Sequence, residues 1–154
     1  MESLDHLKRL FRFNDWANRI VLRTLRETDS EEALLTFAHV LVTEREYYER
    51  LYGKDSTGFD FHPKLTIEEC ASLALENAGL FETLLGGFDE EGLGQSASYR
   101  TSEGVPSRNT YREMLSHVLF HSMAHRGQIL SSIRRSGNRP PSIDYIIFER
   151  ETGG

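Results

Sequence analysis

The chain has 154 residues, of which 24 are acidic and 18 are basic, so its formal net charge is −6. That length is typical of one domain over residues 1–154, large enough to fold without disulfides or a metal. The single cysteine, Cys70, excludes a disulfide scaffold. The first residues do not show the charged and then apolar pattern of a secretion signal, and the sequence has no apolar run of roughly 18 residues. We therefore expect a cytoplasmic protein that does not span a membrane.

The charge also argues against a nucleic-acid partner. Proteins that bind duplexes usually present a basic face to the phosphates. Here the basic residues are scattered, and the nearest approach to a cluster is Arg134, Arg135 and Arg139. These residues stand where a helix is predicted to end, and basic side chains there compensate the helix dipole.

The first helix is predicted from about Ser3 to Glu27, because apolar residues recur there at helical spacing. Asn14 and Asn18 interrupt its apolar stripe. A buried amide without a partner costs about 1–3 kcal/mol, so both side chains need hydrogen-bond partners. They either bond the backbones of neighbouring helices or border a polar site inside the bundle.

The second helix is predicted to begin near Thr28 to Ser30 and to run to about Tyr52. Thr28 with Glu31, or Asp29 with Glu32, is expected to form its capping box. Gly53 ends it and opens a polar connection to Lys64.

A capping box of Thr66 and Glu69 opens the third helix, which is predicted to end near Gly86. The following connection, 88–107, is long enough to be typical of a lid or a crossover. Weak alternation within it predicts a short hairpin over 96–105.

The fourth helix is predicted from about Thr110 to Arg135, and a short fifth helix from Ser142 to Glu149. Four long helices with one long connection predict an all-α fold. Its architecture is a four-helix bundle with a long crossover between helices 3 and 4 and a short C-terminal helix.

The fourth helix carries three histidines at intervals of four residues: His117, His121 and His125. Side chains four apart share a helix face about 6 Å apart, which suits two imidazoles that bind one ion. His117 and His125 lie roughly 12 Å apart along the axis, so the three histidines of this helix cannot all bind the same ion. At about 100° per residue, His121 and His125 share the inward arc with Met114, and His117 lies about 60° from its centre. The wheel favours His121 and His125 as the pair, with His117 flanking.

The third ligand must then come from another helix, and His39 is the candidate because apolar residues surround it in the second helix. A lone buried histidine is more often a hydrogen-bonded core residue. Three buried imidazoles without a metal, however, need several scarce partners in a low-dielectric core. We predict a metal site at His39, His121 and His125. Three imidazoles with an open position suit Zn²⁺, Ni²⁺ or Fe²⁺ better than Mg²⁺ or Ca²⁺, which prefer oxygen.

Other catalytic signals are weak. The HExxH pattern of zinc proteases is absent. Glu44, Glu46 and Glu49 of the second helix are expected on a solvated face. Cys70 has no histidine in its own segment, so the sequence identifies no nucleophile and no catalytic residue.

Several motifs resemble the DinB-like family, also called the DinB/YfiT superfamily, of bacterial four-helix-bundle proteins. The resemblance covers nearly the whole chain, and HVLFHSMAHRGQ at 117–128 is its most specific motif. The other motifs are FNDWAN at 13–18, AHVLVTEREYY at 38–48, RNTYREML at 108–115 and PPSIDYIIFERE at 140–151.

The resemblance implies a divalent-metal site at His39, His121 and His125, with Arg126 and Gln128 supporting the site rather than binding the ion. It also implies a homodimer and, for some relatives, S-transferase or isomerase activity with low-molecular-weight thiols such as bacillithiol or mycothiol. Other relatives resemble metal-dependent hydrolases. We therefore expect an enzyme whose metal activates a thiol or water toward a small-molecule substrate. The alternative is a non-catalytic metal-binding protein of the stress or DNA-damage response.

Overall fold

A computed structural model describes residues 2–153 of the chain. Within that range the fold is dominated by helices and includes one pair of short antiparallel strands, which confirms the predicted fold class. None of these helices combines the length and the apolar character that crossing a bilayer requires. The elements are α1 (Glu2–Arg26), α2 (Glu31–Arg50), α3 (Ile67–Gly86), β1 (Ser96–Arg100), β2 (Pro106–Thr110), α4 (Tyr111–Arg135) and α5 (Tyr145–Glu151).

The four long helices pack chiefly in two pairs. α2 lies against α4, α1 lies against α3, and contacts between α2 and α3 join the pairs. α5 returns to α1, where Arg9 Nη2 donates to Glu149 Oε1 at 2.7 Å and the Phe148 ring meets Phe13 at 5.8 Å between centroids. α2 and α4 thus form the side of the bundle that carries the predicted metal ligands.

Side chains that cap the backbone N–H groups mark where α2 and α3 begin. The predicted capping box of Thr66 and Glu69 opens α3 and is confirmed. The predicted start of α2, near Thr28 to Ser30, is confirmed, but the predicted capping box is wrong, because Ser30 rather than Thr28 or Asp29 is the cap. The Ser30 hydroxyl accepts the backbone N–H of the third helical residue, which is an alanine, so no reciprocal box forms.

The connection between α3 and α4 contains the predicted hairpin, but the hairpin is longer than predicted. β1 and β2 pair from Ser96 opposite Thr110 to Arg100 opposite Pro106, so the second strand continues to the first residue before α4. The sequence prediction ended too early because β2 is polar and none of its residues is fully buried, which leaves no apolar alternation. A side-chain hydrogen bond also joins the two strands, because the Tyr99 hydroxyl donates to Asn109 Oδ1 at 2.7 Å.

The core consists of two apolar clusters separated along the helix axes. One contains the later residues of α1 and the early residues of α2, and the other contains the early residues of α1 and the early residues of α4. Between them every long helix contributes buried polar side chains, each no more than 5% exposed. We call this set the polar layer, and its members are Asn14, Asn18, Glu44, Asn77, Ser122 and Arg126.

Candidate metal centre

The three predicted ligands lie together between α2 and α4. One imidazole nitrogen from each of His39, His121 and His125 lies within 4.8 Å of the other two. The His39 and His121 Nε2 atoms are 3.1 Å apart. His39 is buried, and the other two are partly exposed. The proximity agrees with the helical wheel, and the role of the three residues as ligands stays a prediction.

Two hydrogen bonds fix which nitrogen faces the centre. His39 Nδ1 lies 2.6 Å from the Phe61 carbonyl oxygen, and His125 Nδ1 lies 2.7 Å from Gln128 Oε1. A carbonyl oxygen only accepts, so each Nδ1 carries the hydrogen and donates. The lone pair of each ring is therefore on Nε2, the nitrogen available to an ion. Metal-binding histidines usually have such an acceptor for the other ring nitrogen.

His121 differs from its two neighbours in this respect. Its buried Nδ1 has no hydrogen-bond partner within residues 2–153. Its Nε2 lies 3.1 Å from the same nitrogen of His39, and the tautomer of His121 that carries its hydrogen on Nε2 donates one hydrogen bond there. A cation bound at this point would instead take the lone pair of each Nε2, and this set of imidazole donors supports the fit of the site to a metal.

The spacing of one nitrogen pair also fits the bond lengths of a small transition ion. Two nitrogens bound tetrahedrally at 2.0–2.1 Å stand about 3.3 Å apart, close to the 3.1 Å between the His39 and His121 nitrogens. Within the part of the chain that the structure describes, no fourth histidine, cysteine or carboxylate joins the group. Three nitrogen ligands with a fourth position free of side chains are typical of catalytic rather than structural zinc sites.

The surroundings keep two of the three imidazoles, those of His39 and His121, neutral. Burial, together with the smaller effects of the neighbouring His125 and His39, lowers the pKa of His121 from 6.5 to about 3. Burial also lowers the pKa of His39, against the effect of its bond to Phe61. At neutral pH the lone pairs of these two histidines are therefore free for an ion and not occupied by protons.

The connection between α2 and α3 covers the centre from outside the bundle. Arg50, at 4% exposure, lies over the rings of Tyr47 at 4.8 Å and Phe61 at 5.4 Å, and its Nε donates to Ser56 Oγ at 2.9 Å. These contacts hold the connection on α2 and bring the Phe61 carbonyl to His39.

His62 of the same connection stacks on the His39 ring, with centroids 4.2 Å apart and planes 10° apart. Sequence reasoning missed this contact, since His62 stands alone in a polar loop with no periodic partner. His117, the predicted flanking residue, lies outside the three-histidine group. Its ring is 5.5 Å from that of His121 and 4.7 Å from that of Tyr47, measured between centroids.

The expectation for the glutamates of α2 is wrong for two of them. Glu44 and Glu46 are each only 2% exposed, and Glu49 is half-buried. Glu46 Oε1 accepts from Lys54 Nζ at 2.6 Å. Glu44 is buried because polar side chains from the three other long helices surround its carboxylate, which no pattern within α2 indicates.

The polar layer is built around the Glu44 carboxylate. It accepts hydrogen bonds from Asn14 at 2.8 Å, Asn18 at 3.1 Å and Ser122 at 2.9 Å. The oxygens of both asparagines accept from Arg126 Nη1, at 2.6 and 2.9 Å. Each amide thus has its nitrogen toward the carboxylate and its oxygen toward the guanidinium. Of the two alternatives for Asn14 and Asn18, the polar site inside the bundle is therefore the one that forms.

Arg126 and Gln128 occupy different surroundings. Arg126 is 1% exposed and belongs to the polar layer, and burial lowers the pKa of its guanidinium to about 10 although Glu44 opposes the shift. Gln128 is exposed and contacts His125. The supporting roles that the resemblance implies for both side chains stay predictions.

The comparison with known families agrees with the resemblance seen in the motifs. The sequence model described as the DinB family matches residues 4–153, nearly the whole chain. No curated protein matches the chain. With the matched region extending over all four long helices and the histidine group between them, the chain belongs to the DinB family.

Proposed function

We propose that the protein is a metal-dependent enzyme that binds one divalent transition ion, Zn²⁺, Ni²⁺ or Fe²⁺, at His39, His121 and His125. The observation that carries the proposal is the convergence of three imidazoles, with no fourth protein ligand from the described residues. An ion held there supplies Lewis acidity that lowers the pKa of a thiol or a water in the remaining position.

The protein's own residues orient two of the three rings. Phe61 and Gln128 hold the Nδ1 hydrogens of His39 and His125, so both rings present Nε2 to the ion. The His62 ring covers one face of His39 and limits access from the side of the connection. Because these supports come from α4 and from the connection after α2, the site depends on both segments.

A thiol substrate suits this centre better than water does. A hydrolase of this kind generally needs a base within hydrogen-bond reach of the attacking water. The buried carboxylate of Glu44 on α2 already accepts hydrogen bonds from side chains of the three other long helices, including Ser122 at 2.9 Å. A thiolate needs no such base in the transfer step, because it is itself the nucleophile. We therefore propose transfer of a low-molecular-weight thiol to a small electrophilic substrate.

Metal content tests the site. Elemental analysis of the parent protein, after supply of Zn²⁺, Ni²⁺ and Fe²⁺ in turn, should give about one ion per chain, and His39→Ala and His121→Ala should give none. His6→Ala is the matched control, since His6 is exposed on α1 and outside the group. Equal metal in the parent and in both site variants would overturn the proposal.

Activity distinguishes the two chemistries. The metal-loaded protein should conjugate bacillithiol or mycothiol to monochlorobimane, and it should hydrolyse p-nitrophenyl acetate no faster than His121→Ala does. Hydrolysis that depends on the metal would favour the water-based reaction instead. Stoichiometric metal with neither activity would favour the non-catalytic metal-binding protein of the stress or DNA-damage response.

We also propose that the protein is a cytoplasmic homodimer, as the family resemblance implies. α4 exposes two large apolar side chains on one stretch, Phe120 at 75% and Met123 at 38%, and a partner chain is one way to cover them. Light scattering should give twice the mass of the chain. A monomer at all concentrations would refute this part of the proposal.

A further inference from the structure

The side of α4 that faces away from the core presents a continuous row of side chains. At about 100° per residue, these positions fall within one arc of about 100°, opposite the buried residues of the helix. All of them are exposed except Ser116, which is half-buried. We call this surface the outer face of α4, and its members are Glu113, Ser116, Phe120, Met123, Ala124, Gly127, Ser131 and Arg134.

The middle of the outer face is apolar. Phe120 is 75% exposed, Met123 is 38% exposed, and Ala124 lies beside them. Burying a phenylalanine side chain contributes about 1.5–3 kcal/mol, which a single chain does not gain here. Isolated apolar side chains are common on surfaces, but two large ones on one helix face are typical of a protein contact.

The outer face is complementary to a second copy of itself. A two-fold axis that crosses α4 between Met123 and Ala124 places each residue opposite the one at the same distance beyond the midpoint. Phe120 comes three positions before Met123, and Gly127 comes three positions after Ala124. The axis therefore sets the largest side chain of the face opposite a position without a side chain, and it does so twice.

Gly127 is not required by the fold of a single chain. Glycine inside a helix costs about 1 kcal/mol relative to alanine, yet no atom lies within 4 Å of the position that a Cβ of Gly127 would take. Opposite a phenylalanine of a second copy, the missing side chain leaves room for the ring against the helix backbone. Two helices in such contact approach to about 8–10 Å between their axes.

The two ends of the outer face carry opposite charges. Glu113 comes ten positions before Met123, and Arg134 comes ten positions after Ala124, so the same axis sets one opposite the other. Arg134 forms no ion pair with any residue that the structure describes, whereas its neighbour Arg135 pairs with Glu32. Both charges lie about 16 Å from the axis, and helices that cross at about 20° keep them within reach of each other.

We propose that two copies of this chain pair through the outer faces of α4, antiparallel about this axis, with each Phe120 ring over Gly127 of the partner subunit. This inference rests on the homodimer proposed above and adds its surface and its register. On the helical wheel, His121 and His125 lie about 120° or more from Gly127. Each subunit therefore keeps its own metal centre outside the contact.

Sedimentation equilibrium of the metal-loaded full chain measures the dimer. Phe120→Ala should weaken dimerisation at least about thirtyfold, because each dimer loses two buried rings. Leu75→Ala is the matched control, since Leu75 is 67% exposed on α3 and its loss should leave the dimer unchanged.

Exchanging the large and the small residue tests the register. Gly127→Leu should also weaken the dimer, because two large side chains then compete for one space. Gly79→Leu is its control, with the same change inside α3 and again no atom within 4 Å of the Cβ position. The double variant Phe120→Ala with Gly127→Leu should regain most of the lost affinity, and circular dichroism checks that every variant is folded.

The charged ends give a second test. Arg134→Glu should weaken the dimer more at low than at high salt, because it sets two acidic groups opposite each other at each end. Arg139→Glu is the control, as it makes the same change of charge at an exposed position beyond the outer face.

The outcomes separate this inference from the homodimer itself. A Phe120→Ala dimer as tight as the parent dimer would overturn the pairing through α4 and leave the homodimer in place. A double variant no tighter than its weaker single variant would overturn the antiparallel register. A parent chain that is monomeric at all concentrations would refute the homodimer and this inference together.

Discussion

Glu44→Gln tests whether the polar layer is held by charge as well as by shape. The substitution keeps the size of the side chain but removes the negative charge opposite Arg126. That guanidinium is 1% exposed, and its hydrogen bonds to described residues go to the asparagine oxygens of the polar layer. The substitution also turns one acceptor into a donor among groups that already donate to it, including Asn14 and Ser122. Both effects oppose folding.

The expected loss follows from the burial of both groups. Breaking a buried ion pair by removing one partner typically costs 3–5 kcal/mol. Here two asparagines bridge the charges, so we expect the lower end, about 3 kcal/mol. For a chain of 154 residues that corresponds to a fall in Tm of roughly 6–12 °C.

Urea unfolding followed by circular dichroism measures this loss, and an unchanged m-value shows that the folded state is otherwise intact. Glu49→Gln is the control on the same helix, because Glu49 pairs with Arg45 at 3.2 Å with both side chains more than a third exposed. Such pairs contribute about 0–1 kcal/mol. A loss below about 1 kcal/mol for Glu44→Gln, equal to that of the control, would refute the charge argument.

Three further outcomes are expected. Gln128→Ala should weaken metal affinity about 10–100-fold in a chelator competition, because His125 loses the acceptor of its Nδ1 hydrogen, and unchanged affinity would contradict this role. The metal-free protein should lose stability as the pH falls below about 6.5, since the pKa of His121 is about 3 when folded and the unfolded state takes up the proton instead. Thermal melts at pH 7 and 5 should show a smaller fall in Tm for His121→Ala, and equal falls would contradict the assignment. Cys70 is fully buried, and burial raises the pKa of its thiol to about 11, so Ellman's reagent should react only with the unfolded chain.

The features that could be predicted from sequence depend on residues near one another along the chain. Helical periodicity located the four long helices, and the Thr66 capping box located the start of α3. The spacing of His121 and His125 placed both on one face by geometry alone. His39 could be predicted because a metal-binding pair of histidines needs a third ligand from another helix, and His39 is surrounded by apolar residues in α2.

The features that were missed depend on tertiary contacts. Glu44 and Glu46 are buried, although charged side chains normally stay in solvent. Burial of Glu44 is favourable only because side chains of other helices donate hydrogen bonds to its carboxylate. His62 reaches His39 because Arg50 and the rings around it fix the path of the connection. No local pattern in either segment indicates these contacts.

The metal centre joins distant parts of the chain. His39 and His121 are separated by 82 residues in sequence, and an ion held by both closes a loop that includes α3 and the hairpin. A covalent cross-link that closes a loop of that length lowers the conformational entropy of the unfolded chain. This stabilises the folded state by up to about 4.5 kcal/mol. An ion is released instead, so its contribution is set by its free concentration and its affinity. The free energy of unfolding would then rise with the supply of the metal, while the metal-free chain stays folded.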